Sequence, residues 1–192
     1  MIIIYHDPGN ENEAEKFLKL MKENNIEATI IPISKINELI PKANEIIISL
    51  IPFRGGHNES IKEIADRYNA KYIKIPLEMI YVNLKKYLSD KKCKDVCFLY
   101  WNAKRFVELQ EEDLDKIRQA IKNELGIESY SNCEECHDCF IALTLMKGKI
   151  SEKALSYYKN CKSNFVLEDI LSVIEEDLVK WIKSIRDAGG GV

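Results

Sequence analysis

The sequence predicts an α/β protein: a parallel sheet flanked by helices, with a degenerate second βα half and a helical C-terminus carrying a cysteine loop. Three observations carry this reading. Short runs of branched apolar residues alternate with amphipathic stretches through residues 1–90, a βαβαβαβα order that calls for parallel strands and crossover helices. The run from Ile46 to Ile51 is apolar at nearly every position, as in a strand covered on both faces. A strand followed by an amphipathic helix returns after residue 94, which points to a divergent internal repeat over 94–192.

The elements follow in order. Ile2 to Tyr5 is a short strand with His6 at its end, and Asp7-Pro8-Gly9-Asn10 is a turn. Ala14, Phe17, Leu18 and Met21 mark one face of a helix from about Glu11 to Asn25. Ala28 to Ile33 is the second strand, and a short helix capped by Ser34 stops before Pro41. After the Ile46 strand, Asn58 is the expected N-cap of a helix to Tyr68 with Ile61, Ile64 and Ala65 inward. Lys71 to Ile75 is the fourth strand, and a helix follows Pro76-Leu77 to about Leu88. In the second half Val96 to Trp101 is a strand and Leu109 to Leu125 a helix, so Trp101 takes the place that His6 holds in the first half. Phe140 to Met146 is an apolar run of undetermined type, Ser151 to Lys159 is helical, and Leu167 to Arg186 carries an apolar stripe through Trp181. Residues 188–192 read as a frayed tail, with no helix start to make them a phosphate loop.

Composition excludes several classes. The chain has 192 residues and a net charge of −3 with scattered basic residues, so nothing favours nucleic acid. No apolar run is long enough to span a membrane, and Met-Ile-Ile-Ile lacks the basic and apolar regions of a signal peptide. A cytoplasmic location is expected, and there the six cysteines are expected to be reduced. Abundant Lys, Glu and Ile with scarce Gln match a heat-adapted composition. The oligomeric state stays open, a homodimer included.

The chemistry gathers at strand ends. Pro52 stops the third strand, Gly55 and Gly56 let the backbone reach φ > 0 or approach a ligand, and His57 follows. His6 and His57 should therefore lie at one edge of the sheet, where α/β folds place their ligands, and could share one metal ion.

The order of these pieces resembles the small class II chelatases of tetrapyrrole biosynthesis, the cobalt- or nickel-sirohydrochlorin chelatases. The likeness rests on His6 after the first strand, on Pro52-Phe53-Arg54-Gly55-Gly56-His57 after the third, and on Ile75-Pro76-Leu77 after the fourth, and it covers residues 1–90. It implies insertion of divalent cobalt, nickel or iron into a sirohydrochlorin-type ring. His6 and His57 would bind the ion and take pyrrole protons, and Arg54, with Lys35 as a further candidate, would meet substrate carboxylates. Asp7-Pro8-Gly9 stands where the family has Gly-Ser, and Ile33-Ser34-Lys35 offers no carboxylate past the second strand.

Cys133, Cys136 and Cys139 form a C-x2-C-x2-C loop. With Cys161 as a remote fourth ligand it suits a [4Fe–4S] cluster, with zinc as the competing reading and His137 as a further zinc ligand. Cys97 reads as a small core residue, and Cys93 is assigned no metal. The rival to a chelatase is a non-catalytic iron–sulfur or zinc module serving electron transfer on the same fold.

Overall fold

The computed structural model describes residues 1–189, so most of the predicted tail lies outside the described residues. The first half runs β1 (Ile2–Tyr5), α1 (Glu11–Glu23), β2 (Thr29–Pro32), a 3-10 helix (Ile33–Glu38), β3 (Ile46–Ser49), α2 (Gly56–Arg67), β4 (Lys71–Lys74) and α3 (Leu77–Lys91). The second runs β5 (Asp95–Leu99), α4 (Val107–Leu125), β6 (Glu128–Ser131), β7 (Cys139–Ala142), α5 (Lys149–Cys161), β8 (Phe165–Leu167) and α6 (Leu171–Gly189).

Two four-stranded parallel sheets result, ordered β2-β1-β3-β4 and β6-β5-β7-β8. The identical orders make the second half a structural repeat of the first. Ile4 pairs with Ser49 in one sheet and Leu99 with Ala142 in the other, so His6 and Trp101 stand at equivalent steps past their strands.

The sheets share their cover. Ile3, Tyr5 and Ile48 of the first sheet pack on Phe17 and Met21 of α1 and on Ile174, Leu178 and Ile182 of α6, from the far end of the chain. The opposite face meets the 3-10 helix and α2. Val96, Phe98 and Ile141 of the second sheet pack on α4 and on Ile80, Leu84 and Leu88 of α3, while Cys97, Leu99 and Phe140 face α5. Each sheet thus borrows the last helix of the other half. Burying such apolar area at about 25 cal/mol per Å² is the main stabilising contribution here.

The sequence reading misses two strands. β6 is Glu-Ser-Tyr-Ser and β8 is Phe-Val-Leu; both are edge strands, too short or too polar for a periodic signal. The apolar run of undetermined type contains β7, and the last helix starts at Leu171, since Phe165–Leu167 is strand. Asn58 is not the N-cap of α2. Gly55 takes that place and Asn58 lies buried in the first turn.

Gly55 and Gly148 occupy equivalent positions ahead of α2 and α5. Each lies against the first loop of the other half. A Cβ on Gly55 would stand 3.4 Å from Ala103 Cβ, an ordinary contact, whereas one on Gly148 would stand 2.7 Å from the Pro8 carbonyl oxygen. Gly148→Ala is therefore expected to cost about 1–3 kcal/mol in denaturant unfolding, and Gly55→Ala much less. Equal effects would contradict this packing.

Candidate metal-binding site at the sheet rim

His6 follows β1 and His57 sits in the first turn of α2, just beyond β3. β1 and β3 are adjacent and parallel, and the chain leaves them toward opposite sides of the sheet. This is a topological switch point, where the loops diverge and open a crevice. The two rings meet there edge to face with centroids 5.3 Å apart. With metal–nitrogen bonds of about 2.1 Å, this spacing is short enough for one ion to be held by a nitrogen of each ring. His57 is exposed and His6 half-buried, so an ion can reach both.

The two imidazoles differ in their surroundings. His6 Nδ1 lies 3.0 Å from the Asp7 carbonyl oxygen. An N–H donated there leaves the lone pair on Nε2, the arrangement that orients a ligating histidine. The pKa of His57 is lowered, first by desolvation and then by His6, which favours the neutral ring, the form whose lone pair can bind a cation.

A buried polar hub shapes the loop before His57. Asn58 Nδ2 donates to the carbonyls of Ile51 and Phe53, and its Oδ1 accepts from Ser49 Oγ and Tyr72 Oη. Lys74 Nζ donates to the carbonyls of Pro52 and Ile75 from beneath. Arg54 is clamped to α4: its backbone N–H donates to Asp113 Oδ2 at 2.8 Å, Nε to Asp113 Oδ1 at 2.9 Å and Nη2 to Glu112 at 2.9 Å. The guanidinium read from the sequence as a partner for substrate carboxylates thus already has two protein carboxylates. Lys35 lies exposed on the 3-10 helix. Neither Gly55 nor Gly56 has a left-handed φ. What approaches them is the β5–α4 loop, with Arg105 Cβ 3.5 Å from where a Gly56 Cβ would be. Of that loop the sequence singled out only Trp101; the signal for the rest is two adjacent cations between aromatic residues, Trp101 to Phe106.

The cysteines depart from expectation. Cys93 bonds Cys139, Cys97 bonds Cys133, and Cys136 bonds Cys161. The proposed ligand set is also divided by the sheet. Cys139 faces the α3–α4 side, while Cys133 and Cys161 pack on the α5 side. A single [4Fe–4S] cluster or zinc ion on Cys133, Cys136, Cys139 and Cys161 does not fit this arrangement. Cys93, Cys139 and Asp138 bring ligand atoms within 4.8 Å of one another, but both sulfurs are held in a disulfide. His137 is not exposed, and the cysteines that would share a zinc ion with it are held in disulfides. The histidine is buried, its Nδ1 lies 2.7 Å from Asp95 Oδ2, and its ring stacks on Tyr130.

Two measurements check this description. Thiol titration of the unfolded, unreduced protein should find no free cysteine and, after reduction, six. Reduction should lower stability by about 2–4 kcal/mol for a single bridge. Lys74 gives a pH test. Burial pulls its pKa from 10.5 down to about 8, with Arg54 and Lys116 adding to the pull and Asp113 opposing it. Between these values the unfolded chain holds more protons than the folded one, so stability from this group rises with pH there. The stability of wild type relative to Lys74→Met should be flat below about pH 8 and climb toward pH 10.5; a difference that falls over that window would contradict the burial.

No family profile matches the chain, and no curated protein matches it. Among solved structures it is similar to the sirohydrochlorin chelatase SirB from Bacillus subtilis subspecies spizizenii in complex with cobalt. The TM-score is 0.64 at 12% identity, covering 95% of this chain and 92% of that one. SirB from Bacillus subtilis with Fe3+ gives a TM-score of 0.59 at 12% identity, covering 98% and 94%. The likeness runs through both halves, beyond the first 90 residues to which the sequence resemblance was confined. The chain has the fold of the sirohydrochlorin chelatases.

Proposed function

We propose that the chain binds a divalent cobalt, nickel or iron ion between His6 and His57 and inserts it into a sirohydrochlorin-type tetrapyrrole. The observation that carries this reading is the convergence of the two rings, 5.3 Å apart at the switch point of the first sheet. The fold adds support, since it is shared with a chelatase in complex with cobalt and with a second structure holding Fe3+.

The chemistry sets the requirements. As the ion enters the ring, two pyrrole N–H protons leave, so that the divalent cation replaces two protons and charge is conserved. An ion held loosely by two nitrogens keeps positions open for pyrrole nitrogens. Each neutral imidazole accepts one of the two departing protons once it releases the metal, and passes it on to solvent. His57, kept neutral by its surroundings, suits that step, and His6, oriented by Asp7, suits the handover of the ion. The ion is substrate in this scheme. The rival module needed the cysteine loop as its metal centre, and the disulfides leave it without ligands.

The test is cobalt titration and anaerobic insertion into metal-free sirohydrochlorin. The double variant His6→Ala/His57→Ala should lose at least about tenfold in cobalt affinity and about 100-fold or more in insertion rate. Insertion at the wild-type rate would remove both residues from the mechanism.

A further inference from the structure

The β5–α4 loop lies at the same rim, packed on the glycines ahead of His57. It reads Trp101-Asn102-Ala103-Lys104-Arg105-Phe106. Two aromatic side chains stand out of it: Trp101 is 55% exposed and Phe106 39%. Lys104 and Arg105 are exposed between them. The loop belongs to the histidine site by contact. Ala103 lies against Gly55 and Arg105 against Gly56, the residue before His57.

The loop is built, not slack. Gln110, only 6% exposed, accepts from the Ala103 N–H at 2.9 Å and donates to the Trp101 carbonyl at 2.8 Å. Asn132 Nδ2 donates to Asn102 Oδ1. Phe106 is held in the left-handed region, at φ 56 and ψ 43, which a bulky residue adopts only where its surroundings impose it. Its ring lies 5.3 Å from the Arg105 guanidinium. Among the described residues neither Lys104 nor Arg105 forms an ion pair, in contrast to Arg54, which two carboxylates hold.

Resting on the function proposed above, we propose that this loop recognises the macrocycle: Trp101 lies against its face, and Lys104 and Arg105 pair with its carboxylates. An exposed indole offers a flat apolar surface to a conjugated ring. Two unpaired cations beside it select a ligand that is anionic as well as planar. The second half of the repeat would thus supply ring recognition where the first supplies the metal ligands, with Trp101 at the position equivalent to His6. The specificity expected is for rings bearing several carboxylates over neutral or esterified ones.

Absorbance titration with metal-free sirohydrochlorin, and separately with cobalt alone, tests this. Trp101→Ala and the double variant Lys104→Gln/Arg105→Gln should each weaken ring binding at least tenfold while still binding cobalt, and Trp101→Phe should bind the ring nearly as wild type does. The double variant should also lose most of the salt dependence of ring binding. Unchanged ring affinity in both loop variants would overturn the assignment while leaving the histidine reading intact. A wild-type protein that binds cobalt but no ring would overturn the tetrapyrrole reading and this inference together.

Discussion

Ile4 and Ser49 stand opposite each other on adjacent parallel strands, and the site depends on that pairing. Because β1 and β3 run the same way in matched register, the residues following each emerge at one rim. Because β2 and β4 lie on opposite outer sides, the two connections part there. Two histidines far apart in sequence come together at that point without any contact designed to join them. The hydrogen bonds of Asn58 and Lys74 then fix the loop so that His57 keeps its place in the first turn of α2.

Repetition gives the molecule its second organising feature. Both halves use the same strand order, and each sends its last helix to cover the other's sheet. The first loop of each half also rests on the glycine ahead of a helix in the other half. What differs is the side chain offered at equivalent steps. One half presents an imidazole there, and the other an indole with Lys104 and Arg105 exposed beside it.

The cysteines show how a local motif can mislead. C-x2-C-x2-C reads as a metal loop because the three thiols are close in sequence. In the fold each of them has a nearer partner outside the loop: Cys97 on β5, Cys93 ahead of it and Cys161 at the end of α5. The expectation of reduced thiols came from a presumed cytoplasmic setting. Three cross-links in one half then restrain the unfolded chain where the sheet carries its shortest edge strand.

The sequence by itself determined the parallel α/β class, the first half almost element by element, and the placement of His6 and His57 at strand ends, because periodicity and chain-breaking residues are local properties. It also located Trp101 as the counterpart of His6. Only the tertiary structure decided that Arg54 belongs to Asp113, that Asn58 braces a loop, that each cysteine of the loop pairs with one outside it, and that Gly55 and Gly56 lie against the β5–α4 loop. Those facts depend on which distant surfaces meet. Spacing along a chain carries information about neighbours within a turn or a strand, and none about the partner a side chain finds once two sheets have closed on each other.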